Sequence, residues 1–172
     1  MNASPPDWPD RLFDSFKRGG IRQVGYVPDA GHARLIERCR ADPQIHDVAL
    51  TTEEEGVALA AGAWLGGARC ALLMQSSGLG NCVNMLSLVK GGRFPFLMLI
   101  SMRGDFGEGN PWQFPMGQAV EPVFAAMGVT CLRVDRPEDV TPTVTAAMTM
   151  VFQSGQAVAV LLTQKLIGAK KF

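Results

Sequence analysis

The residues best suited to chemistry stand at Thr51-Thr52-Glu53-Glu54-Glu55-Gly56. There, three acids open the run Val57-Ala58-Leu59-Ala60-Ala61-Gly62-Ala63-Trp64, which is apolar and mostly small. A carboxyl at the mouth of such a helix is placed to hold or pass a proton. Capping offers a plainer explanation. Thr52 suits an N-cap, Glu55 falls three residues later as in a capping box, and first-turn acids are stabilised by the helix dipole. That accounts for one or two of the three glutamates, with Glu55 capping and Glu53 in solvent. It does not account for the small residues, since a Gly inside a helix costs about 0.5–1 kcal/mol relative to Ala. Their number points to close approach by a neighbouring element or a ligand.

A second stretch, Met74-Gln75-Ser76-Ser77-Gly78-Leu79-Gly80-Asn81, ends a strand and opens a helix. Backbone N–H groups and hydroxyls converge at such a turn and suit an anion or a polar ring edge. It has neither the GxGxxG spacing of a dinucleotide site nor the Gly-Lys-Ser/Thr end of a P-loop. A third stretch, Arg103 to Pro115, is rich in Gly and Pro and follows the strongest strand. It reads either as a ligand-binding loop at a strand's carboxyl end or as a surface loop anchored by Trp112 and Phe114.

The elements that must position these residues follow from hydrophobic patterning. Apolar runs recur at Ile21–Val27, Val48–Leu50, Cys70–Met74, Pro95–Ile100, Thr130–Val134 and Ala157–Leu162. Continuous rather than alternating runs suit strands buried on both faces of a parallel sheet. Helical patterns lie between them, near Trp8–Arg18 and at Ala33–Arg40, Glu53–Leu65, Leu79–Val89, Gly117–Met127 and Pro137–Phe152. The alternation predicts an α/β fold, doubly wound, with a mainly parallel six-stranded sheet and helices on both faces.

Composition narrows the partners. The chain has 172 residues, 47% hydrophobic and 19% charged, so we expect a single domain over residues 1–172 with a sizeable core. Sixteen basic residues balance sixteen acidic ones without a long Lys/Arg run, which argues against nucleic acid. No membrane-length apolar run, signal peptide or CxxC spacing is present, so the cytoplasm is the expected compartment. Two His and four scattered Cys give no metal-ligand cluster, and no metal is assigned to this chain.

Taken together, Glu54, Gly56, Ala60-Ala61 and Trp64, followed some ten residues later by Met74 to Asn81, resemble the pyrimidine-binding domain of thiamine-diphosphate enzymes. The pattern is most similar to the sulfopyruvate and phosphonopyruvate decarboxylases. Val27-Pro28-Asp29 resembles the substrate-side loop of that family, and Gly109 to Gly117 with Glu121-Pro122-Val123 its later loop and helix. The resemblance implies that one glutamate, Glu54 with Glu53 and Glu55 as the neighbouring alternatives, hydrogen-bonds N1′ of the cofactor pyrimidine and takes part in proton transfer there. It implies that Gln75, Ser76, Ser77, Gly78, Leu79, Gly80 and Asn81 border the cofactor. Pro28, Asp29, His32 and Arg103 become substrate-side candidates. Where relatives carry a Ser or another polar residue after the Asp, this chain has Ala30-Gly31-His32, a departure that bears on the identity of the substrate more than on the cofactor; His32 either replaces the polar group or lies in the first turn of a surface helix.

The motif of the family's diphosphate half is not found in these 172 residues, so the chain is expected to be half of an active site. Gly104-Asp105-Phe106-Gly107 stands where no Gly-Asp-Gly metal motif belongs. The resemblance therefore implies a beta subunit that holds Mg²⁺ and the diphosphate, in an α/β heterotetramer or larger. The implied activity is decarboxylation of a 2-oxoacid, foremost 3-sulfopyruvate to sulfoacetaldehyde and carbon dioxide. Carboligation or lyase chemistry, a phosphonopyruvate substrate, and a non-catalytic α/β binding module stay open as alternatives.

Overall fold

The structure is a computed structural model that describes residues 7–169. Residues 1–6, where the absence of a signal peptide was read, and residues 170–172 lie outside the described residues.

Apolar runs become strands here, and the central ones are covered from both sides. The strands are β1 (Ile21–Tyr26), β2 (His46–Ala49), β3 (Arg69–Gln75), β4 (Phe96–Ser101), β5 (Thr130–Val134) and β6 (Ala157–Leu162). All pair in parallel in the order β2-β1-β3-β4-β6-β5. Central β4 is buried at every residue, whereas β2 and β5 close the two edges and are partly exposed.

The helices are α1 (Trp8–Arg18), α2 (Ala33–Ala41), α3 (Glu53–Leu65), α4 (Leu79–Cys82), α5 (Leu86–Gly92), α6 (Phe114–Ala126), α7 (Val140–Phe152) and α8 (Gln164–Ile167). Successive strand side chains point to opposite faces. In β3, Ala71 and Leu73 accordingly join α1, α2 and α7 in one core, while Leu72 and Met74 join α3 to α6 in the other.

Three local expectations need correction. The pattern Leu79–Val89 is two helices, α4 and α5, because Gly80, Asn81, Val83 and Asn84 are weak helix formers. Helix α6 begins at Phe114 rather than Gly117, its Pro115 fitting a first turn that has no N–H partner to lose. At α3, Thr52 takes an extended N-cap conformation without a side-chain bond; Glu55 Oε2 instead accepts the Thr51 N–H at 2.9 Å.

The two helical layers differ in charge. On the α1/α2 side, Asp10 pairs with Arg34 and Arg38, and Lys17 with Asp42. From Gly56 to Val89 the only charged residue is Arg69, and α6 carries only Glu121. This weakly charged layer leaves Leu65 88% exposed, Leu88 42% and Trp64 40%.

Candidate active site

Strand β1 leads through the 3-10 turn Ala30–His32 to α2 on one face, and β3 leads through Ser76–Gly78 to α4 on the other. Chains leaving neighbouring strands toward opposite faces open a crevice at the carboxyl edge of the sheet, the usual ligand position in doubly wound folds. A cavity of about 100 Å³ lies there, walled by Asp29, Gly31, Gln75, Ser101, Arg103 and Ile167.

Asp29 is the polar centre of the crevice. Its Oδ2 accepts from Ser101 Oγ at 2.5 Å and from the Gly31 N–H at 3.0 Å, and its Oδ1 accepts from Gln75 Nε2 at 3.2 Å. Ser77 Oγ donates to Gln75 Oε1 at 2.9 Å, which fixes which way the Gln75 amide faces. Residue 31 must be Gly, since a Cβ there would lie 2.6 Å from Ser101 Cβ. Pro28 is exposed and faces an adjoining groove with Ala33 and Ile36 rather than the cavity.

His32 does not line the cavity and is not on a surface helix; it is 1% exposed beneath the turn. Its Nε2 lies 3.3 Å from the Met74 carbonyl oxygen, and Nδ1 has no hydrogen-bond partner. Burial pulls its pKa below 6.5, outweighing the opposing charge of Asp29.

Arg103 borders the cavity, yet its guanidinium is engaged inside the chain. Its Nε and Nη2 donate to Glu108 at 2.5 and 2.7 Å, with the side chains 9% and 0% exposed. Glu108 also accepts from the Asn110 N–H and from Gln164 Nε2, while Gln164 Oε1 accepts the N–H groups of Asp105 and Phe106. The bond from Arg103 is the main cause holding Glu108 at a pKa of about 2. This clamp secures the loop; Trp112, an expected anchor, is 83% exposed. The clamp residues Glu108 and Gln164, and Ser101 in the crevice, carried no sequence signal, being isolated letters whose partners stand on other elements.

The turn Gln75–Asn81 separates this crevice from the head of α3. Gln75 and Ser77 serve the crevice. Ser76 is buried, with Oγ accepting the Arg103 N–H at 3.1 Å, and Leu79 is buried in the core. Gly78, Gly80 and Asn81 face the α3 side or solvent. At α3 the acids part company: Glu54 and Glu55 are exposed, whereas Glu53, expected in solvent, is 9% exposed and takes a hydrogen bond from Asn81 Nδ2 at 2.8 Å. Helical geometry explains the difference, since Glu53 shares the inward stripe with Val57 and Ala60, and Glu54 the outward stripe with Ala58, Gly62 and Leu65.

Topology and crevice together define a doubly wound α/β domain with a small cavity at the carboxyl edge of its sheet and the Glu54 carboxylate on its outer face. No family model matches the chain. It is 34% identical over 163 residues to sulfopyruvate decarboxylase subunit alpha of Methanococcus maripaludis, covering 94% of this chain and 95% of that one. It is 35% identical over 157 residues to the same subunit of Methanothermobacter thermautotrophicus, covering 91% and 95%. Phosphonopyruvate decarboxylase of Streptomyces viridochromogenes is 41% identical over 90 residues, 52% of this chain and 23% of that one. In fold, the chain matches 2-oxoglutarate:ferredoxin oxidoreductase from Magnetococcus marinus with a TM-score of 0.77 at 15% identity, over 94% of this chain and 29% of that one. The chain belongs to the sulfopyruvate decarboxylase subunit alpha family.

Proposed function

We propose that this chain is the alpha subunit of a two-subunit thiamine-diphosphate-dependent decarboxylase, converting 3-sulfopyruvate to sulfoacetaldehyde and carbon dioxide. The observation that carries the reading is the outward Glu54, set on a weakly charged stripe beside the Gln75–Asn81 turn in a chain similar along nearly its whole length to named alpha subunits.

The donor set fits half of the cofactor. Glu54 would hold the pyrimidine through a proton shared with N1′, and Gly80 and Asn81 border the same surface. Asp105 does not act as a metal ligand in this reading, because its Oδ1 accepts the Gln164 N–H at 3.2 Å and its Oδ2 meets Arg133 at 3.2 Å. Mg²⁺ and the diphosphate are assigned to the beta subunit, which docks over the α3 stripe and buries Leu65. When bound, the cofactor supplies the electron sink that lets a 2-oxoacid lose carbon dioxide. The crevice orients the substrate: Asp29 is fixed by Ser101, Gly31 and Gln75, and presents an acceptor edge to the cavity. With Arg103 bonded to Glu108, the second anion of the substrate is met from the partner's side.

The test is co-expression with the beta subunit and measurement of carbon dioxide from 3-sulfopyruvate with thiamine diphosphate and Mg²⁺. We expect activity in the pair, and a loss of about 10²-fold or more in Glu54→Gln, as a missing acid–base group predicts. Full activity in Glu54→Gln would remove that residue from the chemistry. The similarity to phosphonopyruvate decarboxylase supports a second reading; faster turnover of phosphonopyruvate than of sulfopyruvate would select it.

A further inference from the structure

Arg18, Arg22, Arg69, Lys90 and Arg93 meet no carboxylate among the described residues, although most other cations of the chain do. All of them stand at the amino edge of the sheet, just before or at the start of β1, β3 and β4, opposite the crevice. Helix dipoles account for part of this, because α1 and α5 end on that edge and a cation there is stabilised. They do not account for Arg69, which opens a strand, since strands carry only small net dipoles.

Arg18 and Arg69 share the walls of a cleft of about 290 Å³ at the ends of α1 and α7, together with Thr145, Thr149 and Gln153. Each guanidinium bonds a neutral acceptor. Arg69 Nη1 donates to the Gly19 carbonyl oxygen at 2.8 Å, and Arg18 Nη2 donates to Ser15 Oγ at 3.1 Å. The Arg69 guanidinium also lies over the Phe152 ring, 5.0 Å from its centroid. One bond and one ring contact hold that fork in place and leave most of its N–H donors to the cleft.

No described acid lines the cleft. The sequence from Val140 onward has no Asp or Glu, so α7 brings none, and Asp14, one turn before Arg18, makes no ion pair with it. Thr149 Oγ1 is committed to the Thr145 carbonyl, which leaves the Thr145 hydroxyl and the Gln153 amide as neutral donors beside the two cations. Guanidinium forks match the geometry of a phosphate or sulfonate oxyanion. The volume is that of a small-ligand pocket, which begins at about 300 Å³, rather than of a protein face.

We infer that this cleft is a second binding site, taking the phosphate or sulfonate group of a small effector between Arg18 and Arg69. A strand's length, about 20 Å, separates it from the crevice, so its ligand touches neither the crevice nor the head of α3.

The experiment uses the full chain paired with its beta subunit, saturated with thiamine diphosphate and Mg²⁺ so that the diphosphate site is filled. Inorganic phosphate and inorganic sulfate are titrated by calorimetry at an ionic strength fixed with chloride. The wild-type pair should bind with a Kd of about 1 mM or tighter, which two charge-assisted contacts supply. Arg18→Gln and Arg69→Gln should each weaken binding about tenfold or more. Arg69→Lys, which keeps the charge and loses the fork, should weaken it too. Arg136→Gln, which removes a cation at the opposite edge of the sheet, should bind as the wild type does. Absence of phosphate and sulfate binding overturns the inference, as does binding that survives both Arg18→Gln and Arg69→Gln. Equal weakening by Arg136→Gln overturns it as well, because net charge rather than the cleft would then set the affinity. If Arg69→Gln does not assemble, Arg18→Gln decides, its side chain being exposed on the last turn of α1. A pair that binds phosphate through Arg18 and Arg69 but releases no carbon dioxide overturns the proposed function and supports this site.

Discussion

The Glu108 carboxylate grips the Arg103 guanidinium at two points, Nε to Oε2 at 2.5 Å and Nη2 to Oε1 at 2.7 Å. Removing one partner of a buried pair strands the other's charge, so Glu108→Gln should destabilise the fold by about 3 kcal/mol. Its pH signature has a defined sign. The pKa in the fold, about 2, lies below the ordinary 4.5, so the stabilisation is complete above about 4.5 and is lost as pH falls toward 2. Urea midpoints measured across that range should slope in the parent and flatten in Glu108→Gln.

His32 should act in a separate, higher window. Its pKa in the fold is below 6.5, so the unfolded chain takes up a proton first as pH falls. Stability contributed by the neutral ring is therefore present above pH 6.5 and declines below it. Replacing His32 by Leu should abolish the part of the slope that begins near 6.5 and leave the acid limb of Glu108 in place. An unchanged slope near 6.5 would show that His32 does not cause it.

Gly31→Ala tests the crevice. The new Cβ would press on Ser101 Cβ at 2.6 Å and on Asp29 Oδ2 at 2.9 Å. Overpacking of this kind costs about 1–3 kcal/mol. In the reconstituted pair we expect a raised KM for the oxoacid with the Kd for thiamine diphosphate preserved. Equal effects on both would place the crevice on the cofactor's side of the turn instead.

Leu65→Lys tests the docking face. The side chain is 88% exposed, so the substitution should change the stability of this chain by no more than about 0.5 kcal/mol. A charge buried at an interface without a partner is costly. Co-purification with the beta subunit should therefore fall sharply while the thermal midpoint of this chain holds. Undiminished co-purification would move the interface elsewhere.

Much of this architecture was legible because its cause is local. The six apolar runs mark the six strands to within a few residues, since burial on both faces leaves little room for polar letters. Helix Glu53–Leu65 matched its pattern end to end. What escaped depends on distance in the chain. Glu53 and Glu54 are identical in composition and adjacent, and only the rotation of α3 against Gly78 and Asn81 tells which one turns inward. Arg103 reads as a spare cation until Glu108 folds back on it, and His32 reads as a surface residue until β3 passes beneath its turn. The break between α4 and α5 was present in the Gly and Asn letters but outweighed by the apolar ones around them.

The crevice joins Asp29 to Gln75 across 46 positions and to Ser101 across 72. Contacts of such separation close late, after the intervening strands have found their neighbours. No fragment of the chain can hold the cavity, and a nascent chain acquires it only after β4 has joined the sheet.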